Sequence, residues 1–392
     1  MKKRLVAIGL VLCMMAATLV GCGSSSSSSN SSAKTVKIGV FEPQSGDNGA
    51  GGKQEILGMQ YANYKTPTVE INGETYNVEL VYADNASSND KAPSAAQTLI
   101  SSGVSVVLGS YGSGVSIAAG DTFLAAKVPA IGVTCTNPQV TSGCDVYFRI
   151  CFLDPFQGTV LANYAKNSLG ATKAYCLAKI GDDYSGGLVN YFMEAFGKEN
   201  CVSETFPEGT SDFSTYISNA QAQGCDVFYA PVSIEAAALI IDKADAQNLG
   251  MPMLAGDTWD SNVILNAAKG KDLNICVTTF YQEGASPEFD SGIKEWINQD
   301  STAKANNGGN DEIAAVSAMG YDAYYVALEA IKKAASTEPA KVLEVLPDVT
   351  YTGVTGSIAF DEIGDAKRNS AFVKKCNTET AKWDFVEEAK AQ

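Results

Sequence analysis

The sequence contains no histidine in its 392 residues. A chain without imidazole has no Ser-His-Asp or Cys-His nucleophilic site and no metal site with a histidine ligand. Its motifs also show no other nucleophile–base pair, no phosphate-binding loop and no cluster of metal ligands. We therefore predict that the protein is not an enzyme and that it needs no cofactor or metal.

Cysteine spacings of the metal-binding or redox type are also missing. The ten cysteines include no CxxC pair and no zinc-type arrangement. In an exported chain, Cys135–Cys144 and Cys201–Cys225 are conceivable disulfides. Buried free thiols that pack as small apolar side chains are the alternative.

Positive charge is scarce, with Lys+Arg at 28 against Asp+Glu at 44 and a net charge of −16. An acidic surface argues against nucleic acid as a partner and against a polybasic contact with anionic lipids. After residue 20 no apolar run reaches the roughly 20 residues that span a bilayer. The remaining length, at 45% hydrophobic content, can fill two cores.

The N-terminus has the layout of a secretory signal, with basic residues at 2–4 and an apolar stretch at 5–19. Its ending, Leu19-Val20-Gly21-Cys22, resembles the lipobox of bacterial lipoproteins, in which the cysteine is acylated. An ordinary signal peptide with an incidental cysteine is the alternative. The residues that follow are almost all serine, which is typical of a flexible tether. We predict a signal peptide at 1–21, lipid on Cys22, a tether at 22–35 and a place on the extracytoplasmic face of the membrane.

The rest of the chain alternates strand and helix patterns. Strand-like apolar runs lie at 36–41, 78–82, 104–108 and 130–133, and again at 173–180, 201–205, 227–230, 252–255 and 275–281. Segments in which apolar residues have the spacing of a helix lie between most of these runs. Repeated strand–helix units predict an α/β fold with mostly parallel sheets flanked by helices, and two series predict two lobes. The tail at 356–386 is predicted to be a hairpin that turns at 362–365.

Ligands of open α/β sheets bind beyond the carboxyl ends of the strands, so the loops there are candidate sites. The segment 109–116 is rich in glycine, carries Ser113 and precedes a helix, whose N-terminus favours an anion. The loop at 133–138 adds the hydroxyls of Thr134 and Thr136. Plain turns are the alternative interpretation of the glycine-serine segment.

Two loops of the second series offer different groups. Tyr184 stands at a predicted helix start, and Asp257 follows a strand end with Trp259 close behind. Asp257 could instead cap a helix, as could Asp260, and Trp259 could belong to the core. Anion donors on one lobe and a carboxylate on the other would suit a zwitterion.

Eight segments in this order resemble the type I periplasmic binding proteins of the leucine/isoleucine/valine-binding branch. They are 80–85 with 99–100, 106–114, 131–141, 148–158, 181–187, 255–261, 320–331 and 360–365. The resemblance implies two lobes joined by three crossovers, a ligand in the cleft and hinge closure around it. It also implies a monomer that delivers its ligand to the permease and ATPase subunits of an ABC importer. The expected lobes are 36–154 with 282–357, and 155–281 with 358–392.

The resemblance also implies roles for single residues. Ser113 and Thr136 match the hydroxyls that hold the ligand carboxylate, and Thr134 matches a backbone contact to the ammonium. Tyr184 matches a cleft aromatic, and Asp257 matches the acidic partner of the ammonium. The predicted ligand set is completed by Tyr111, Trp259 and Tyr321.

The match has departures. Gly51 and Val232 stand where branched-chain binders carry aromatic residues, and Cys135 and Trp259 also differ. The clamp for an α-amino acid is therefore expected to be retained and the side-chain pocket to be rebuilt. We predict an amino acid ligand, branched-chain or otherwise apolar or aromatic. An amide, urea or aromatic carboxylate is the alternative ligand, and a sensory receptor subunit is the alternative to an importer component.

Overall fold

The computed structural model describes residues 34–390. The predicted signal peptide, the lipid site at Cys22 and nearly all of the tether lie outside these residues. The eight cysteines within them are free thiols, so neither conceivable disulfide is formed.

The first sheet has six strands, all parallel except for the edge strand. They are β1 Thr35–Glu42, β2 Thr68–Ile71, β3 Glu74–Asp84, β4 Val106–Leu108, β5 Ala130–Gly132 and β6 Tyr147–Arg149. Their order is β2-β3-β1-β4-β5-β6, with only β2–β3 antiparallel. From Gly39 onward β1 is buried on both faces, as expected for an inner strand of a parallel sheet covered by helices.

The second sheet has seven strands in the order β15-β14-β11-β10-β9-β7-β8. The remaining strands are β7 Ala174–Lys179, β8 Cys201–Phe206, β9 Val227–Tyr229, β10 Met253–Ala255, β11 Ile275–Thr279, β12 Thr350–Gly353, β13 Gly356–Ala359, β14 Ser370–Asn377 and β15 Lys382–Lys390. The last two strands are antiparallel, and β12 and β13 form a separate hairpin.

Helices cover both faces of the two sheets. They are α1 Gly49–Lys65, α2 Ala92–Ser101, α3 Ser113–Ala126, α4 Asp154–Asn167, α5 Asp183–Phe196, α6 Ser214–Ala222, α7 Ile234–Ala246, α8 Asn262–Ala268, α9 Pro287–Gln299, α10 Ser301–Asn306, α11 Ala315–Ala334 and α12 Pro339–Val345. None of the helices within residues 34–390 is long and apolar enough to cross a membrane. Helices α1 and α11 approach closely at Gly58, where a Cβ atom would clash with the carbonyl oxygen of Ser317.

The chain passes between the lobes three times. Residues up to β6 build the first sheet, β7 to β11 build the second, α11 returns to the core of the first, and β14 and β15 rejoin the second. The two-lobed α/β fold predicted from the sequence is therefore present. The residue boundaries expected for the lobes remain predictions.

The predicted turn at 362–365 is present, because Phe360 and Ala366 form an antiparallel bridge across it. The strands on either side do not form the predicted hairpin, since β13 pairs with β12, and β14 pairs with β15 through a turn at 378–381. Within the first turn, Asp361 Oδ1 accepts the N–H groups of Ile363 and Asp365. Gly364 O accepts a hydrogen bond from Arg149 N. The loop thus docks on the edge strand β6, a long-range contact that local turn signals do not show.

Candidate functional site

A small cavity of about 50 Å³ lies between the two lobes. Tyr111 and Ser113 line it from the first lobe, and Tyr184 and Thr258 line it from the second. These residues follow β4, β7 and β10, so the carboxyl ends of strands from both sheets face each other here.

The first-lobe wall presents hydroxyls and free backbone donors. Ser113 is the first residue of α3, and its Oγ accepts a hydrogen bond from Asn137 N at 3.2 Å. Thr136 is fully buried, and its Oγ1 forms no hydrogen bond of ordinary length and angle with the described residues. A helix N-terminus beside a buried hydroxyl suits a carboxylate.

On the second-lobe side, the carboxylate of Asp257 lies next to the lining residues Tyr184 and Thr258. Its Oδ1 accepts hydrogen bonds from Tyr184 Oη at 2.9 Å and from Gln157 Nε2 at 2.9 Å. Burial raises the pKa of Asp257 to about 6, although these hydrogen bonds oppose the rise. The helix-cap alternative does not hold, because Ser261 caps α8 and Asp260 binds Lys374 at 3.0 Å.

Tyr111 crosses the cavity from the first lobe to the second. Its hydroxyl donates to the carbonyl oxygen of Thr258 at 3.2 Å. A Cβ atom at position 51 would lie 2.5 Å from the tyrosine ring, so the ring fits only because residue 51 is glycine. The first-lobe wall therefore has an aromatic ring, which comes from Tyr111 and not from residue 51.

A pair of buried carboxyl groups supports the two first-lobe loops. Glu42 Oε2 accepts the N–H of Tyr111 at 2.6 Å, and Glu55 Oε2 accepts the hydroxyl of Thr134 at 2.5 Å. The two carboxyls interact electrostatically, and burial raises the pKa of both. A proton shared between them would let both loops keep their positions without two adjacent charges.

Arg149 is a further support that sequence reasoning missed. It is fully buried, and its Nε contacts Asp365 Oδ1 at 2.6 Å. Its Nη1 donates to the carbonyl oxygens of Cys135 at 3.0 Å and Asn137 at 2.5 Å. Arg149 and Gln157 lie in a segment that carries the resemblance, but no local pattern distinguished them.

Two members of the predicted ligand set lie elsewhere. Trp259 is fully buried in the second-lobe core, and its Nε1 donates to the carbonyl oxygen of Val232 at 3.2 Å. Tyr321 stacks on Tyr61, with ring centroids 5.7 Å apart, in an aromatic cluster of α1, α9 and α11. Residue 321 lies on the face of α11 that packs against these helices, so the structure places it away from the cavity lining. Tyr111, Ser113 and Tyr184 line the cavity. Asp257 lies behind Tyr184, to which it is hydrogen-bonded, and Thr134 and Thr136 belong to the loop whose Asn137 contacts Ser113.

The lobes are in direct contact around the cavity. Lys179 Nζ of the second lobe lies 2.7 Å from Asp47 Oδ2 of the first. Asn137 Nδ2 donates to the carbonyl oxygen of Asp183 at 2.8 Å. The structure thus describes a closed cleft. No group of three or more metal-ligating side chains occurs in the part of the chain that it covers.

Comparison with known proteins gives consistent matches. A Leu/Ile/Val-binding protein homolog from Brucella abortus (strain 2308) is 28% identical over 340 residues, which cover 85% of this chain and 88% of the relative. The crystal structure of a leucine-binding protein from Thermotoga maritima has 31% identity and a TM-score of 0.78, and covers 91% of this chain and 99% of that one. A solute-binding protein of an ABC transporter from R. palustris, in complex with benzoate, shares the fold at 16% identity, with a TM-score of 0.75 and coverage of 91% and 97%.

The family described as periplasmic binding protein matches residues 35–378. This match spans nearly all the residues that the structure describes and agrees with their two-lobed fold. The chain therefore belongs to the periplasmic binding protein family, whose members bind solutes rather than transform them.

Proposed function

We propose that the protein is an extracytoplasmic, lipid-anchored substrate-binding component of an ABC importer and that it captures an amino acid by closing its lobes. The observation that carries this proposal is the opposed chemistry of the two cleft walls. The start of α3 with Ser113 and Thr136 offers donors to an anion, and Asp257 offers a carboxylate to a cation. An α-amino acid carries both groups on neighbouring atoms.

The first-lobe wall would hold the ligand carboxylate. Ser113 is 2% exposed, so a carboxylate bound there would be shielded from water. Electrostatic attraction strengthens as water is excluded. The free N–H groups of the first turn of α3 add a positive dipole end at the same place.

The second-lobe wall would hold the ligand ammonium. Asp257 is 3% exposed and has neutral hydrogen-bond donors, and the buried basic residues of the described part are engaged elsewhere. Arg149 binds Asp365, and Lys374 binds Asp260. A ligand ammonium would supply the positive counter-charge that the protein does not provide for this carboxylate.

The alternative ligand is an amide, urea or aromatic carboxylate. The fold neighbour in complex with benzoate supports it, because the same architecture accommodates a ligand without an ammonium. In this chain such a ligand would leave Asp257 buried without a counter-charge, which costs several kcal/mol unless the carboxyl takes up a proton. Asp257 therefore favours an amino acid.

The cellular setting of this proposal rests on the sequence outside the described residues. The basic and apolar start, the motif ending at Cys22 and the serine-rich tether support export and lipid attachment. Two or more acyl chains anchor a protein stably, and one alone does so only marginally. A tethered receptor would stay close to its permease and ATPase partners.

A thermal-shift screen tests the ligand class. The chain from residue 23 onward would be heated with each amino acid and with urea, small amides and benzoates. A ligand present at 100 times its Kd stabilises the folded state by about 2.7 kcal/mol and raises the melting temperature. We expect at least one amino acid to do so. A response to benzoates or amides alone would establish the alternative, and no response to any amino acid would contradict the proposal.

A further inference from the structure

The cavity beyond the amino-acid clamp has a polar lining. Its outer part is bordered by Asn48, Ser87, Asn89, Asp182 and Ser233. The aliphatic side chains at the same cavity are Pro43 and Val115. A branched hydrocarbon would leave these amide, hydroxyl and carboxylate groups without water and without partners, which is unfavourable.

The inner side of the cavity is closed by Tyr111. Its ring rests on Gly51, and its hydroxyl reaches Thr258 on the other lobe. A ligand side chain that leaves the clamp is therefore directed outward, past Ser87, Asn89 and Asp182. These three residues also border a groove at the mouth of the cleft.

Asp182 presents a carboxylate oxygen at this exit. Its Oδ2 caps α5 by accepting the N–H of Ser185 at 2.9 Å. Its Oδ1 accepts no hydrogen bond from the residues that the structure describes. The cap holds the carboxylate in place and leaves one oxygen for a ligand.

The groove at the cleft mouth has a negative balance of charge. It is lined by Asp47, Asp90, Asp182 and Glu208, and by one basic residue, Lys179. Lys179 is already bound at 2.7 Å to Asp47 and at 2.8 Å to Glu208. Asp90 and Asp182 thus remain without a cationic partner among the described residues.

We propose that the bound amino acid has a cationic side chain, an amine or a guanidine, whose head group lies beside Asp182 at the cleft mouth. This inference rests on the amino-acid function proposed above and names the ligand's side-chain class. The ammonium of this ligand would lie at Asp257, and the head group of its side chain would lie at Asp182.

Calorimetric titration with matched ligands tests the inference. Lysine and norleucine share the same carbon chain and differ in the terminal amine, and arginine, leucine, isoleucine and valine complete the panel. We expect lysine or arginine to bind at least about tenfold more tightly than norleucine and leucine, as for one charged hydrogen bond. Tighter binding of norleucine or of a branched-chain amino acid than of both cationic ligands would overturn the inference and leave the amino-acid function intact. Binding of no amino acid would overturn both.

A matched pair of variants locates the effect. Asp182→Asn keeps the helix cap, because asparagine caps as well as aspartate, and removes the charge. Its affinity for the cationic ligand should fall about tenfold, with norleucine binding unchanged. Asp300→Asn makes the same change at the N-cap of α10 and borders neither the cavity nor the groove. An equal loss in both variants, or no loss in Asp182→Asn, would contradict the assigned position.

Discussion

Asp257 shows how the surroundings of one residue decide its chemistry. Its carboxylate lies at the end of β10, is 3% exposed, and accepts hydrogen bonds from Tyr184 and Gln157. Neutral donors favour the charged form, but burial outweighs them and raises the pKa to about 6. In the closed cleft the group is therefore half-protonated near pH 6, and a neighbouring cation would favour its charged form.

Ligand affinity should depend on pH through this group. An ammonium binds the carboxylate form, so affinity should be constant above about pH 7 and weaken as pH falls through 6, approaching tenfold per pH unit. Calorimetric titration from pH 4.5 to 8 measures this. Asp257→Asn should bind more weakly by at least ~1.5 kcal/mol. Because Glu55 and Asp154 also titrate, the ratio of wild-type to variant affinity isolates Asp257. A ratio of affinities that does not change with pH would contradict the contact between Asp257 and the ligand ammonium.

The same substitution should stabilise the ligand-free protein. A carboxyl with a raised pKa in the folded state contributes stability that is present below its unfolded pKa and is lost as pH rises through about 6. At pH 7 the wild type therefore carries an unfavourable buried charge that Asp257→Asn lacks. We expect the free energy of unfolding to rise by up to about 3 kcal/mol. The exposed Asp348→Asn is the control and should change nothing.

At the scale of elements, the first-lobe loops at 109–116 and 133–138 are held in position by residues that are distant from them in the sequence. Glu42 at the end of β1 and Glu55 on α1 each accept a hydrogen bond from one loop. Arg149 ties the backbone at 135–137 to the loop at 361–365. The first-lobe wall is thus positioned before a ligand arrives.

Substitution of Arg149 should strongly destabilise the folded protein. Arg149→Met leaves Asp365 buried without its cation and two carbonyl oxygens without donors, so the free energy of unfolding should fall by about 3–5 kcal/mol. Chemical denaturation measures the loss. The double variant Arg149→Met/Asp365→Asn removes both charges and should recover part of the stability. A change below about 0.5 kcal/mol in the single variant would show that the pair is not needed.

At the scale of the whole molecule, contacts between the lobes close the cleft. Ile234 N donates to Asn48 Oδ1 at 3.2 Å, and Ser261 Oγ donates to Gln54 Oε1 at 2.8 Å. These contacts join α7 and α8 of the second lobe to α1 and the residue that precedes it. In the proposed function they would separate for a ligand to enter, and the three crossovers would bend.

Ligand binding should therefore make the molecule more compact. Solution scattering of the chain from residue 23 onward should give a smaller radius of gyration at saturating ligand than without it, because hinge closure brings the lobes together. Asp257→Asn at the same ligand concentration should stay at the ligand-free value. An unchanged radius in the wild type at saturation would contradict hinge closure.

Much of the fold was predictable because the signals are local. Apolar runs placed β1 at 36–41 and β8 at 201–205, close to the strands Thr35–Glu42 and Cys201–Phe206 of the structure. The loops after strand ends predicted Ser113, Thr136, Tyr184 and Asp257 as site residues, since parallel strands bring such loops to one edge of a sheet.

What only the tertiary structure decided depends on contacts between distant segments. Tyr321 lies on the face of α11 that packs against α1 and α9, away from the cleft, and the loop at 361–365 docks on β6. The buried carboxyls of Glu42 and Glu55 come from a strand and a helix, and the Arg149–Asp365 pair spans a separation of 216 residues. The sequence by itself therefore determined most of the elements and the family, because those follow from neighbouring residues. The shape and lining of the cavity between the lobes arise where separate elements pack, so they became visible only in three dimensions.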